Sequence, residues 1–413
     1  IFGSSGSVIE AAGGLSWQSV VTASTVTVSA AKGYFINTTS NACTITLPSA
    51  ADAGDQIILV DYARTWGTNA ITIDSNGLNF QSSPDTYTVD YDTAGQSLNL
   101  VYSDATIGWT PSSDIANAFD HDPPPTQKGI FAYGTTASDV TSLSNLVNSS
   151  GVIAADVTGV GTARQYLGAA SYGVDKAIFA YGANAEGAVV SMSNLVSNSG
   201  VIGTDVTGVG TSRQSIGACG YGGDKAIFAY GLTDAVVSMS NLANNLGVIA
   251  SDVTGVGTAR REVAAAEYGV GLAVFAYGTT GSQSSLKNLV NSSGVVASDV
   301  SGVGTARSAI AAAGYGTDKA IFGFGYTGSN VGITNLVNNV GVIAADVSAV
   351  GTAGRGVAAT SYGGDKAIFA YGNRGGMSAI SNLVSNSGVV ASDVTGVGTA
   401  RAFLKAVGFS SSA

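Results

Sequence analysis

Lys176-Ala-Ile-Phe-Ala-Tyr-Gly182 decides how this chain folds, because it returns five more times. It recurs unchanged from Lys225 to Gly231 and from Lys366 to Gly372. Close variants run from Lys128 to Gly134, Leu272 to Gly278 and Lys319 to Gly325. The starting positions 128, 176, 225, 272, 319 and 366 are separated by steps of 48, 49, 47, 47 and 47. Two further landmarks keep the same period. Asn-Leu falls at Asn145, Asn194, Asn241, Asn288, Asn335 and Asn382, and Asp-Val at Asp156, Asp205, Asp252, Asp299, Asp346 and Asp393. Six copies of one unit are present, and a fixed period of this length is the mark of a repeat architecture.

Each unit reads as four short strands, here at 167–172, 176–181, 190–196 and 201–206 (A to D). Between them lie Gly, Asn and Ser clusters that supply turn chemistry. Four strands per unit, six times over, predict a six-bladed β-propeller. The ends of the chain agree with a closed ring. The first unit lacks strand A, while Thr399-Ala-Arg-Ala-Phe-Leu-Lys-Ala-Val-Gly-Phe409 is the opening strand of a seventh occurrence with nothing after it. The C-terminal strand is therefore expected to complete the first blade and remove the open edge.

Composition narrows function. Only 11% of residues are charged, against about 25% in an average soluble protein. The net charge of −10 disfavours nucleic acid, whose phosphates need a basic surface. The single histidine, His121, leaves no material for a Ser-His-Asp triad or a multi-histidine metal site. No metal and no cofactor is expected. Cys43 and Cys219 match neither a disulfide framework nor a zinc pattern, and read as buried free thiols. No stretch has the ~18 apolar residues that span a bilayer, so no membrane insertion is expected.

The unit order Ala-Arg, small-residue strand, turn, Ile-Phe-Ala-Tyr-Gly, variable loop, Ser-Asn-Leu-Val and Asn-Ser-Gly-Val resembles a divergent Kelch repeat. It departs from Kelch in having one Gly after strand B and no strand-D tryptophan. It is more similar to the low-charge Kelch-like repeats of tailed-bacteriophage virion proteins, especially those of marine and cyanobacterial hosts. This resemblance covers residues 128 to 409.

Ahead of the repeats, residues 1–16 are Gly/Ser/Ala-rich and read as a flexible segment. Residues 17–111 alternate apolar and polar, as in Cys43-Thr-Ile-Thr-Leu47 and Gln56-Ile-Ile-Leu-Val60, and predict a β-sandwich-like domain. Gly33-Tyr-Phe-Ile-Asn-Thr-Thr39 and Thr44-Ile-Thr-Leu-Pro48 resemble a small β-domain of phage tail fibres. Residues 112–126, with Pro123-Pro-Pro125, read as a stiff linker, and the propeller is assigned 127–413.

Several repeated residues could carry chemistry, but their repetition favours a structural role. Arg164, Arg213, Arg260, Arg307 and Arg401 begin strand A and are expected to pair within their own blade rather than to ring the axis. One unit has Gly354 there, with its arginine displaced to Arg355. The lone Asp of each unit lacks the converging oxygens a hard cation needs. Tyrosines ending strand A are expected to pack between blades. Glu267 and Lys405 break the smallness of strand A; they are expected to find solvent or partners without function, the alternative being that they line a channel.

The loops between strands B and C differ most between units, and rigid scaffolds display function on such loops. They supply the candidate ligand-binding residues Asp139, Asn184, Glu186, Asp234, Gln283, Tyr326, Asn330, Asn373 and Arg374. A polar, amide-rich, partly aromatic lining suits saccharides. The resemblance implies a non-enzymatic virion protein at the particle surface, an exposed tail or fibre component recognising a host-surface glycan or receptor. Its N-terminal domain would hold other virion proteins, and the protein would be a homo-oligomer on the particle. The alternatives are a capsid-decorating or neck protein without a ligand, a cellular adhesin, or a glycan-processing propeller enzyme. The last lacks the repeat-region Trp turns of sialidases.

Overall fold

A computed structural model describes residues 15–84, 89–113, 126–348 and 350–410. Every regular element among them is a β-strand, so the chain is all-β. It divides into two compact units, Ile1–Asp122 and Pro123–Ala413. Most of the expected flexible segment (1–14) and of the Pro-rich linker (114–125), with His121, lies outside the described residues.

The first unit has nine strands: β1 Ser16–Trp17, β2 Thr25–Thr27, β3 Lys32–Ile36, β4 Cys43–Thr46, β5 Gln56–Asp61, β6 Ile71–Asp74, β7 Val89–Tyr91, β8 Ser97–Tyr102 and β9 Trp109–Pro111. They form a five-stranded sheet, β1-β3-β5-β8-β9, and a four-stranded sheet, β2-β4-β6-β7. Successive strands up to β6 alternate between the sheets, and their neighbours within each sheet are parallel. The chain therefore coils, laying one strand on each sheet per turn, before β7, β8 and β9 add antiparallel edges. Both sheets bury alternate residues, among them Ile45, Ile57, Leu59, Ile71, Leu98 and Leu100, in one core closed by Trp66 and Trp109. The free thiol of Cys43 lies in that core, and burial pushes it up to about 11.

The second unit holds six three-stranded antiparallel sheets, each ordered inner, middle, outer. The inner strands are Gly168–Tyr172, Gly217–Tyr221, Ala264–Tyr268, Ala311–Tyr315, Ala358–Tyr362 and Lys405–Phe409. The last pairs with Lys128–Ala132 from the start of the repeats, in register from Lys128↔Phe409 to Ala132↔Lys405. Each inner strand also packs against the next, and Lys405–Phe409 packs against Gly168–Tyr172. Small side chains suit strands crowded from both sides. Middle strands such as Lys176–Ala180 are buried after their first residue and carry the Ile and Phe of the core.

Aromatic residues link the sheets in the same cyclic order. Tyr133, Tyr181, Tyr230, Tyr277, Phe324 and Tyr371 end the middle strands at φ between 62° and 66°. Such a left-handed conformation costs a bulky residue about 1–3 kcal/mol and persists only where surroundings over-determine it. Here each ring is buried against a Phe of the following sheet, as in Tyr181–Phe228 at 5.6 Å, and Tyr371 packs on Phe131 of the first at 5.3 Å.

The expected fourth strand is not formed. Residues 201–206 touch the outer strand Ser193–Val196 only at the bridges Val196↔Ile202 and Ser193↔Val206. Between those bridges the Asn194 amide nitrogen donates to Gly203 O at 3.0 Å and Asp205 Oδ1 at 2.9 Å. A side chain thus takes the place of backbone ladder bonds. The other five units repeat the arrangement.

Candidate functional site

The repeated arginines are sockets within the sheets. Arg401 is fully buried; its Nε donates to Tyr133 O at 2.9 Å, Nη1 to Thr399 O at 3.1 Å and Nη2 to Asn145 Oδ1 at 2.7 Å. Its guanidinium lies 4.4 Å from the Tyr371 ring centroid, a cation–π contact with the preceding sheet. Asp156 completes the socket by accepting from Thr399 Oγ1 at 2.6 Å and Asn145 Nδ2 at 2.9 Å. Partial burial opposes its ionisation, but the bonds from Thr399 and Asn145 outweigh that and hold the carboxyl below its usual range. Arg164, Arg213, Arg260 and Arg307 are equally buried, each over the aromatic of the preceding sheet.

The sheet with Gly354 fills its socket from elsewhere. Arg355 lies over the Tyr326 ring, 4.7 Å from its centroid. The guanidinium comes instead from Arg374 in the loop after the middle strand. Arg374 donates to Tyr371 O at 3.2 Å, Thr352 O at 2.7 Å and Asn382 Oδ1 at 3.1 Å, and stands 4.6 Å from the Phe324 ring. These partners are equivalent to those of Arg401. A Cβ on Gly354 would meet Arg374 Cγ at 2.7 Å, so the missing side chain makes room for its substitute. Arg374 is therefore corrected from an exposed loop ligand to a socket residue with a side chain only 1% exposed.

The remaining loop candidates share one end of the sheets with the residues that precede the inner strands, as Arg164↔Asn184, Ser308↔Tyr326 and Arg355↔Asn373 pair there. Asp139, Glu186 and Asp234 are exposed. Asn184 and Asn373 spend their side-chain oxygens on their own turns, accepting from Ala188 N at 2.8 Å and Gly375 N at 3.2 Å. Asn330 donates to Asn373 O at 2.9 Å, which gathers Tyr326, Asn330, Asn373 and Arg355 into one cluster. Gln283 keeps a buried side-chain oxygen without a hydrogen-bond partner.

Nearer the centre lie residues that the loop comparison missed. Tyr166, Ser215, Glu262, Ala309, Gly356 and Phe403 occupy equivalent positions just before the inner strands, all with φ between 49° and 57°. Backbone N–H groups link them from unit to unit: Ser215 to Tyr166 O, Glu262 to Ser215 O, Gly356 to Ala309 O, Phe403 to Gly356 O and Tyr166 to Phe403 O, at 2.7 to 3.0 Å. They surround a cavity of about 30 Å³, with Lys405 two residues further along its strand. Phe403 stacks on Tyr166 at 4.6 Å and lies over Gly356, where a Cβ would meet its ring at 2.6 Å. Burial pushes the Tyr166 phenol up and Glu262 adds to this, while Arg355 and Arg261 oppose it.

Among the described residues neither the Lys405 ammonium nor the Glu262 carboxylate has a hydrogen-bond or ion-pair partner. Desolvation lowers the Lys405 amine to about 8, against a partial restoring effect of Glu262. On another inner strand Glu267 accepts from Ser171 Oγ at 3.1 Å, and burial raises its carboxyl despite that bond.

A stability prediction follows for Lys405. An amine with a lower pKa folded than unfolded weakens the fold fully below pH 8, and the penalty fades as pH rises to its unfolded value near 10.4. Lys405→Ala, the residue of its counterparts Ala264, Ala311 and Ala358, should stabilise the protein by roughly 1–3 kcal/mol at pH 7 after allowance for solvent screening. The gain should vanish near pH 11. Glu262, the charged group that acts on Lys405, is unchanged in the variant. Urea denaturation at the two pH values reads this out, and an equal effect at both would contradict it.

No protein-family profile matches the chain, and no curated protein matches it significantly in sequence. Among the described residues no three His, Cys, Asp or Glu side chains gather to hold a metal ion, and no helix is long and apolar enough to cross a membrane.

Proposed function

We propose that the second unit is a closed six-bladed β-propeller, and that the protein is a non-enzymatic component of a tailed-phage particle whose propeller meets the host surface. The cyclic packing of the inner strands, the aromatic links and the backbone bonds between units support the ring. The sequence resemblance supports the virion assignment, with the first unit as the attachment domain.

One observation carries the recognition reading: the units differ from each other chiefly at one end. The opposite turns keep Tyr-Gly or a near equivalent, and Asn-x-x-Gly-Val or Ser-x-x-Gly-Val, almost unchanged from unit to unit. The loop end varies in every unit and gathers aromatic, amide and charged groups. A scaffold that fixes one end and diversifies the other presents a recognition face. Many weak contacts on that face would gain strength from copy number on the particle.

The test is binding of the full chain, displayed multivalently, to candidate host cells and to a bacterial glycan array. Saturable binding that falls at least about tenfold when Asp139, Glu186 and Asp234 become Ala supports the reading. A folded protein that binds neither refutes it.

A second reading is favoured by the outer segments. Val152, Val201, Val248, Val295, Val342 and Val389 are each 54 to 66% exposed and recur in every unit. A regular apolar rim of this kind marks a packing surface. It supports an architectural role against neighbouring particle proteins, for which cross-linking confined to the rim would be the signature.

A further inference from the structure

The basic residues of the second unit sort almost completely into structural duties. Six arginines fill the sockets (164, 213, 260, 307, 374 and 401), and five lysines start middle strands (128, 176, 225, 319 and 366). Lys287 donates to Gly341 O at 2.7 Å. Three remain: Arg261, Arg355 and Lys405. Lys405 lines the cavity, while Arg261 and Arg355, the latter lying over the Tyr326 ring, act on Tyr166 at its edge. Against the single Glu262 they leave a local excess of positive charge in a protein of net charge −10. Such a focus attracts an anion.

The mouth also departs from the repeat. Lys405 stands where other units have Gly or Ala, and Tyr166 and Phe403 stand where others have Ser, Glu, Ala or Gly. Tyr166 and Phe403 pack on each other, but the half-buried Lys405 ammonium adds nothing to that contact and has no hydrogen-bond or ion-pair partner among the described residues, so its charge is open to an anion. The Nε of Arg355 is likewise buried without a partner. The volume limits what enters. A water needs about 10–15 Å³ by this measure, so 30 Å³ admits two oxygens, the size of a carboxylate, and excludes a sugar ring.

We propose that the central mouth binds an acidic sugar, with its carboxylate entering the cavity beside Lys405 while the ring rests on Tyr166 and offers a hydroxyl to Glu262. The proposal rests on the surface-recognition reading and names the ligand class of that face. Lys405 supplies the charge-assisted bond to the carboxylate. Glu262 accepts from a hydroxyl and repels a second acid group, which restricts the site to one carboxylate at a time. Tyr166 provides an apolar face with a polar tip, the chemistry that sugar rings stack on.

The experiment is calorimetric titration of the full chain at pH 7 with glucuronate, galacturonate, the neutral methyl glucoside and acetate. At least one uronate should bind, with the glucoside and acetate each at least about tenfold weaker. Lys405→Met should abolish uronate binding while leaving a folded protein, and Tyr166→Ala should weaken uronate more than acetate. Equal binding of uronate and acetate would overturn the sugar assignment. Equal binding of uronate and glucoside, unchanged binding to Lys405→Met, or no uronate binding would overturn the site. Host-cell binding undiminished in Lys405→Met would overturn this proposal and leave the recognition reading standing; uronate binding without cell binding would do the reverse.

Discussion

Ending the chain after Thr399 should abolish cooperative folding of the repeat unit rather than fray one end of it. The deletion removes Lys405–Phe409, and with it five registered pairs to Lys128–Ala132 and the packing against inner strands on both sides. Leu404, Val407 and Phe409 are all buried, and each large apolar side chain lost from a core costs about 2–5 kcal/mol. Arg401 goes too, leaving Asn145 Oδ1 and Tyr133 O without their donor. Together these losses rival the whole 5–15 kcal/mol that holds a typical domain. The newly open edge of Lys128–Ala132 would also invite association. The measurement is urea denaturation of the full and truncated chains, followed by sizing. The expected result is a lost or strongly shifted transition with aggregation, and partial recovery when a peptide of residues 400–413 is added. A truncated chain with an unchanged midpoint would show that the repeat unit does not depend on this strand.

What could be read from the sequence follows the kind of signal each feature carries. The six units and their closing strand were legible because Ile-Phe-Ala-Tyr-Gly recurs at a fixed step, and because strand A is missing at one end and in surplus at the other. The fourth strand was misread, since 201–206 has strand-like composition, yet its two bridges are one residue out of step with each other and the Asn194 amide bonds between them. In the first unit alternation revealed which residues face the core, but period two is the same for parallel and antiparallel neighbours, so the coiling path stayed hidden. The central mouth was hardest. Its six positions share a left-handed backbone, yet Tyr, Ser, Glu, Ala, Gly and Phe share no chemistry that would mark them as equivalent. The available signal was subtler: a column where units disagree, two residues beyond an arginine on which nearly all agree.

The Gly354 unit gives the sharpest mutational expectation, because adjacent sequence points to one arginine and geometry to another. Arg374→Ala should destabilise the protein by roughly 2–4 kcal/mol, since Asn382 Oδ1 and Tyr371 O lose a buried charged donor and Asp393 loses its nearest cation. Arg355→Ala forfeits a contact with the Tyr326 ring and should cost about 0.5–1 kcal/mol. The backbone at Gly354 lies outside the left-handed region, so a larger residue is conformationally admissible there. Gly354→Arg alone should nevertheless destabilise, because its side chain collides with Arg374. Combined with Arg374→Ala it should recover most of the loss, the guanidinium returning to the strand position used by the other five units. Two harmful changes that repair each other are hard to explain unless both side chains compete for one socket. Denaturation midpoints of the four variants supply the test: additive losses in the double variant would mean that Arg374 is not the substitute, and a larger loss at Arg355 would return the role to the neighbour in sequence.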